Sequence, residues 1–177
     1  MKYNMIHLYI GNGKGKTSAS YGLALRALGC SLKVLVVSFL KNSDSGELCM
    51  LKKLSEAFGD PTIHDCPNKR GFYITASEAE KQEIKKYVEE LFSIFEAGLL
   101  SGNYDLIISD EMIDAVNLGL IDEDKLISLL SQRKAEVVLT GRKPLEKLID
   151  IADYISDVQK TKHPFDCGTP ARRGIEF

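Results

Sequence analysis

Residues 6–18 read IHLYIGNGKGKTS, an apolar strand-like run that passes directly into a glycine-rich loop, and this stretch decides the fold. Residues 19–28 follow it with a helical stretch. Strand, glycine loop and helix in this order are the context of a P-loop, in which successive backbone N–H groups and the helix dipole meet at one anion. The sequence therefore predicts a phosphate-binding loop between the first strand and the first helix.

This loop also carries the side chains that a nucleotide site needs. We expect Lys16 to neutralise phosphate oxygens and the Thr17 hydroxyl to ligate Mg²⁺. For Lys14, contact with phosphate and a solvated loop charge are both open. The standard spacing places a glycine where Ile10 stands, so the loop is one residue tighter, and a bare glycine turn is the alternative to a nucleotide site. The predicted nucleotide-binding residues are Gly11, Asn12, Gly13, Lys14, Gly15, Lys16, Thr17 and Ser18.

Two later strand ends carry polar residues that we expect at the same edge of the sheet. Asp110 and Glu111 end an apolar run, and neighbouring parallel strands place such an end close to the P-loop. Asp110 is expected to hold Mg²⁺ directly or through water, and Glu111 to bind the metal or polarise a nucleophile; solvated charges are the alternative. Thr140 and Arg142 end a further strand. Arg142 contacts phosphate or substrate in one interpretation and forms a surface ion pair in the other.

Strand-like and helical segments alternate along the chain without a repeat or a linker, which predicts an α/β fold of the P-loop NTPase type. We expect one domain over residues 1–177, with a mostly parallel sheet of about six strands covered by helices on both faces. Helical spacing of apolar residues predicts a crossover helix over residues 77–100, and Gly29 and Gly98 are positions where helices stop or turn. The predicted strands are Met5–Ile10, Lys33–Leu40, Thr62–His64, Asp105–Ser109, Glu136–Thr140 and Tyr154–Asp157.

Composition excludes several classes of protein. Among 177 residues, 23 Lys and Arg balance 25 Asp and Glu for a net charge of -2, which argues against a nucleic-acid coat or a polybasic membrane anchor. No apolar run reaches the about 18 residues of a transmembrane helix, and the first ten residues lack a signal-peptide pattern, so we expect a cytoplasmic protein. The four cysteines form no CxxC pair, and we expect reduced, mostly buried thiols.

The C-terminal residues 160–177 have no helical period and predict either an ordered loop or a floppy tail. They contain KHPFDCG at residues 162–168 and RGIEF at residues 173–177. With GNGKGKT at residues 11–17, the Asp110-Glu111 pair and LTGR at residues 139–142, the chain resembles the P-loop family of ATP:corrinoid adenosyltransferases over nearly its whole length. The tight loop is that family's own pattern.

The resemblance implies transfer of the 5′-deoxyadenosyl group of ATP to the Co(I) of a corrinoid, either cobalamin or cobyrinic acid diamide, with release of triphosphate. In this family ATP lies reversed in the P-loop, so that Lys16, Thr17 and Mg²⁺ would stabilise charge on the departing triphosphate. The implied catalytic residues are Lys16, Glu111 and Arg142. The implied metal ligands are Thr17, Asp110 and Glu111.

The resemblance also implies a corrinoid-binding face. Phe72 matches a Gly-Phe-x-Trp segment of the family, Ile74 stands in place of the tryptophan, and core packing is an equal alternative for Phe72. His163 and Asp166 complete the implied corrinoid-binding set. An external reductase would supply the electron that makes Co(I), and the chain would form a homodimer. A generic P-loop ATPase or kinase and a non-catalytic corrinoid carrier are the alternative functions.

Overall fold

The computed structural model describes residues 4–42, 45–66, 73 and 76–176, with the backbone alone at residues 41 and 42. The strands are β1 Ile6–Ile10, β2 Val34–Asn42, β3 Thr62–Cys66, β4 Leu106–Asp110, β5 Glu136–Thr140 and β6 Tyr154–Asp157. The helices are α1 Lys16–Gly29, α2 Gly46–Phe58, α3 Glu78–Ser101, α4 Met112–Asn117, α5 Glu123–Ser131 and α6 Glu146–Ile151, followed by a 3₁₀ turn at Pro164–Cys167. Strands and helices alternate as the sequence predicts, except that two helices, α4 and α5, lie between β4 and β5.

The six strands form one sheet in the order β3-β2-β4-β5-β1-β6, and every described pairing is parallel. This confirms the predicted α/β fold. The expectation that helices cover both faces holds for β4, whose five residues are all buried. The exception is β6, whose four residues are all exposed and which lies at the edge of the sheet, beside β1.

Two apolar clusters lie on opposite faces of the sheet. Side chains of α1 and α2, including Tyr21, Ala24 and Leu48, pack on one face. Helices α3, α4 and α5 pack on the other face, where Phe95 is fully buried. The sheet alternates its side chains between the two clusters, since Ile107 joins one and Ile108 the other. Both faces of the central strands are therefore sealed, and polar side chains concentrate at the carboxyl ends of the strands.

Helix α3 confirms the predicted crossover helix, but the prediction that Gly98 stops or turns a helix is wrong. A capping box between Ser77 and Glu80 begins the helix, and Gly102, with φ 72°, ends it. Gly98 lies inside the helix and does not stop it. A Cβ at Gly98 would lie 2.4 Å from Leu35 Cδ2, so glycine is needed there for close packing on the sheet. Gly29, in contrast, is the last residue of α1, as predicted.

The prediction that most of the cysteines are buried is wrong. Only Cys66, on β3, is buried among the four free cysteines, whereas Cys30, Cys49 and Cys167 are exposed. Cys30 caps the end of α1 and Cys167 closes the 3₁₀ turn, both of which are surface positions. Among the described residues, no helix combines the length and the apolar character that crossing a membrane would require.

Candidate active site

The loop between β1 and α1, residues 11–15, is held in place from two sides. Gly11 N–H donates to the Arg142 carbonyl at 3.1 Å, and Gly13 N–H donates to the Val158 carbonyl at 2.7 Å. Gly11 has φ +106°, and a Cβ there would lie 2.4 Å from Asp157 Oδ1. Glycine at this position is therefore required by the left-handed backbone and by the chain that packs against it.

Lys16, the first residue of α1, folds back over this loop. Its Nζ donates to the Gly13 carbonyl at 2.9 Å. Burial, followed by the charge of Arg142, lowers the pKa of the Lys16 ammonium, while Asp114, Asp110 and Glu111 act in the opposite direction. Arg142 and Lys16 thus bring two positive charges to the N-terminus of α1, where the helix dipole also attracts a phosphate, and the three carboxylates lie nearby.

The Asp110 carboxylate meets the P-loop helix at the edge of the sheet. Thr17 Oγ1 donates to its two oxygens at 3.1 and 3.2 Å, and Thr140 Oγ1 donates to Oδ1 at 2.6 Å. The expectation that β4 neighbours the P-loop strand needs correction, because β5 lies between β1 and β4. The contact still forms because Thr17 belongs to α1, which crosses above β5 and β4.

Glu111 follows Asp110 in an unusual backbone conformation. Its φ of 60° is left-handed, and it caps the N-terminus of α4. Its N–H donates to Thr140 Oγ1 at 2.9 Å, so the same threonine fixes both acidic residues. Strained backbone of this kind collects at functional sites, where the surrounding structure holds it.

Arg142 lies beside the loop, as the sequence predicts, and its backbone has a structural task. Its N–H donates to Asp114 Oδ1 at 2.9 Å, while its carbonyl accepts from Gly11. The glycine before it is also constrained, since a Cβ at Gly141 would lie 2.5 Å from Ile113 Cβ. These contacts tie the ends of β4 and β5 to the P-loop.

The sequence did not predict that Tyr21 belongs to this site, and it did not predict the contact that Ser18 makes. Tyr21, one turn beyond Thr17, donates its hydroxyl to Asp110 Oδ2 at 3.4 Å. Burial first, and Asp110 next, raise the pKa of Tyr21 well above its usual value. Ser18, predicted to bind nucleotide, donates to Glu47 Oε1 on α2 at 2.7 Å. The helical spacing of Tyr21 matches a core residue, so nothing local marked its hydroxyl as part of the site.

The C-terminal segment, described to residue 176, runs along the P-loop. Lys160 N–H donates to Asn12 Oδ1 at 2.9 Å, next to the bond between Gly13 and Val158. Lys14 Nζ, for which two roles were open, donates to Glu176 Oε1 at 3.2 Å. The segment therefore contacts the loop at Asn12 and Lys14, and Val158, just before the segment, contacts Gly13 between them.

Glu176, which accepts from Lys14, is also hydrogen-bonded within the C-terminal segment. Its carboxylate accepts from the Arg172 backbone at 2.8 Å and from the Arg172 guanidinium at 3.2 and 3.1 Å. Hydrogen bonds from Arg172 lower the pKa of Glu176 to about 2. Because the folded pKa is depressed, the ionised contact contributes at pH values above the usual carboxyl range and is lost as the pH falls towards about 2.

Replacing Glu176 with glutamine is expected to loosen this segment, since the carboxylate that Lys14 and Arg172 share loses its charge. Tryptic cleavage after Arg172 and Arg173 should become at least about twofold faster at neutral pH. Timed digestion with mass spectrometry measures this rate. Glu90→Gln, on the exposed side of α3, is the matched control. Equal cleavage rates in all three proteins would show that Glu176 does not order the segment.

The predicted corrinoid-binding residues are only partly described. His163 Nδ1 accepts from Phe165 N–H at 3.2 Å, and Asp166 accepts from Lys160 Nζ at 2.9 Å. These contacts shape the 3₁₀ turn. The Phe165 side chain in this turn is 70% exposed. It lines a cavity of about 40 Å³, which is too small for a macrocycle. Phe72 and Ile74 lie outside the described residues.

Together, the parallel sheet, the glycine loop after β1 and the acidic end of β4 define an α/β protein with a P-loop NTPase-like fold. The chain belongs to the family described as ATP:corrinoid adenosyltransferase BtuR/CobO/CobP, whose model matches residues 2–177. It is therefore a transferase, and the family predicted from the motifs is confirmed.

Curated relatives agree over most of the chain. A corrinoid adenosyltransferase of Pseudomonas aeruginosa is 30% identical, over 96% of this chain and 82% of that protein. The corrinoid adenosyltransferase CobA of Salmonella typhimurium is 29% identical, over 98% of this chain and 85% of that protein. One from Escherichia coli K12 is 28% identical with the same coverage of 98% and 85%.

Proposed function

We propose that this enzyme transfers the 5′-deoxyadenosyl group of ATP to the Co(I) of cobalamin or of cobyrinic acid diamide. The observation that carries the proposal is the joint placement of Lys16, Thr17 and Asp110 around one loop, in a chain of the adenosyltransferase family. Cobalt donates an electron pair to C5′ as the cobalt–carbon bond forms. The C5′–oxygen bond breaks, and its electron pair leaves with triphosphate.

Charge stabilisation at the triphosphate is the protein's main contribution. Negative charge grows on the triphosphate as the C5′–oxygen bond breaks, so positive groups placed there lower the barrier. Lys16, Arg142 and the N-terminus of α1 supply this positive field. The reaction transfers no proton from the nucleophile, and no side chain has to act as a base.

The donor set at the carboxyl end of β4 fits Mg²⁺. The Thr17 hydroxyl and the Asp110 and Glu111 carboxylates are hard oxygen donors, and Thr17 and Asp110 already lie within hydrogen-bond distance. When bound, the ion would neutralise triphosphate oxygens. Asp110, fixed by Thr140, would hold its position without rearrangement.

The corrinoid is proposed to approach the open side of the P-loop, past the C-terminal segment. Phe72 and Ile74 would exclude water from the lower face of cobalt, and His163 and Asp166 would position the segment that borders it. An external reductase supplies the electron, and a homodimer in the cytoplasm is the proposed form. These assignments rest on the family and on the motifs at residues 71–74 and 162–168.

Product analysis tests the proposed function. Incubating the protein with ATP, Mg²⁺ and chemically reduced corrinoid should give an adenosylated, light-sensitive corrinoid and an equal amount of triphosphate, measured by absorbance and ³¹P NMR. Omitting the corrinoid is the control and should leave ATP intact. ADP with an unchanged corrinoid spectrum would indicate an ATPase or kinase, and tight corrinoid binding without turnover would indicate a carrier. Either result would overturn the proposal.

A further inference from the structure

The buried hydroxyl of Tyr21 is a polar group in an apolar environment. The side chain is 1% exposed and belongs to the cluster that contains Val36, Ile108 and Val138. A phenylalanine would fill the same space without a hydroxyl to satisfy, and burying a hydroxyl is costly unless it is hydrogen-bonded. The Tyr21 hydroxyl therefore needs a partner, and two polar side chains lie close to it: the buried Ser38, and the Asp110 carboxylate, which accepts from it at 3.4 Å.

The two oxygens of the Asp110 carboxylate accept hydrogen bonds from different elements of the fold. Thr140 donates to Oδ1 at 2.6 Å, whereas Tyr21 donates to Oδ2. Thr17 lies between them, at 3.1 Å from Oδ1 and 3.2 Å from Oδ2. Besides Thr17, Oδ1 has a donor from β5 and Oδ2 has one from α1, and these two donors on opposite sides restrain rotation of the carboxylate plane.

We propose that Tyr21 is a positioning residue that fixes the Asp110 carboxylate for the metal bound with ATP. The proposal rests on the proposed role of Asp110 in holding that metal. Thr17 also has to turn its oxygen towards the ion, and its share of the Asp110 contact then weakens. Tyr21 and Thr140 keep the orientation of the Asp110 carboxylate unchanged while Thr17 turns. Tyr21 touches neither substrate nor metal and acts through Asp110.

The Tyr21→Phe variant tests this role, because it removes the hydroxyl and keeps the ring in its place. We expect the Mg²⁺ concentration for half-maximal rate to rise about three- to tenfold, the effect of an ordinary hydrogen bond, because the 3.4 Å contact between Tyr21 and Asp110 is long. The rate at saturating Mg²⁺ should stay within about twofold of wild type. Tyr9→Phe, which removes the hydroxyl of a half-buried tyrosine on β1, is the matched control and should leave both values unchanged.

A second measurement does not depend on turnover. Mn²⁺ replaces Mg²⁺ as a paramagnetic probe, and electron paramagnetic resonance of the free ion, corrected for the Mn²⁺ that ATP binds without protein, gives its affinity for each protein–ATP complex. The Tyr21→Phe variant should bind Mn²⁺ about three- to tenfold more weakly than wild type and Tyr9→Phe. Equal affinities would overturn the proposal, even where the variant melts at a lower temperature, because a merely structural role predicts that outcome. Absence of Mn²⁺–ATP binding to wild type would also overturn it.

This pair of measurements separates the two proposals. If wild type forms no adenosylated corrinoid but Tyr21→Phe still weakens Mn²⁺ binding, the proposed function fails and the role of Tyr21 stands. If wild type is active and the variant matches it in both measurements, the proposed function stands and the role of Tyr21 is wrong.

Discussion

Replacing Lys16 with alanine is expected to lower kcat/KM for adenosyl transfer by at least about tenfold, since a decade in rate corresponds to about 1.4 kcal/mol and one charged contact can exceed that. The reason is electrostatic: Lys16 is partly desolvated at the loop, where its charge acts more strongly on phosphate than it would in water. Initial rates of corrinoid adenosylation across a range of ATP concentrations measure the effect.

The matched control is Lys85→Ala, which removes an exposed lysine on the outer side of α3. Its kcat/KM should equal that of wild type. A Lys16→Ala rate within about twofold of wild type would contradict the assignment of charge stabilisation to Lys16.

Replacing Gly11 with alanine is expected to damage stability and nucleotide binding together. The residue has φ +106°, and its new Cβ would lie 2.4 Å from Asp157 Oδ1 and 2.5 Å from the Val158 carbonyl oxygen. Strain and steric overlap of this size should lower the free energy of unfolding by roughly 1 to 3 kcal/mol. They should also displace the loop and weaken ATP binding. Urea denaturation and calorimetric titration with ATP measure the two effects.

Gly22→Ala is the matched control for this substitution. Gly22 lies inside α1, and a Cβ there would meet no atom of the described residues within 4 Å. Alanine in a helix interior should raise stability by about 0.5 to 1 kcal/mol and leave ATP binding unchanged. Equal stability of Gly11→Ala and Gly22→Ala would mean that the loop can move away from residues 157 and 158 at no cost.

Local patterns in the sequence predicted most of the fold. Each buried strand is a short apolar run, and a strand's periodicity is a property of neighbouring residues, so β1 and β5 could be located closely. The P-loop helix was also predicted, because glycines and an adjacent strand mark its start. Lys16 and Thr17 lie where this pattern places them.

The remaining features depend on contacts between distant residues. A glycine near the end of a helical pattern predicts a helix stop, but Gly98 is needed because the helix packs closely on Leu35 of β2. Tyr21 has the spacing of a core residue, and its contact with Asp110 spans 89 positions of the chain. The order of the strands, with β5 between β1 and β4, is likewise absent from any local pattern. The roles of Phe72 and Ile74 stay predictions.

A structure of the enzyme with ATP and a corrinoid bound tests the central claim most directly. The claim is that residues 11–18 hold the triphosphate as a leaving group and leave the ribose C5′ facing the corrinoid. The account predicts the triphosphate in the loop beside Lys16 and Thr17, with C5′ directed at cobalt. A nucleotide bound in the opposite sense, with its γ-phosphate facing the open side and its ribose enclosed by protein, would contradict it.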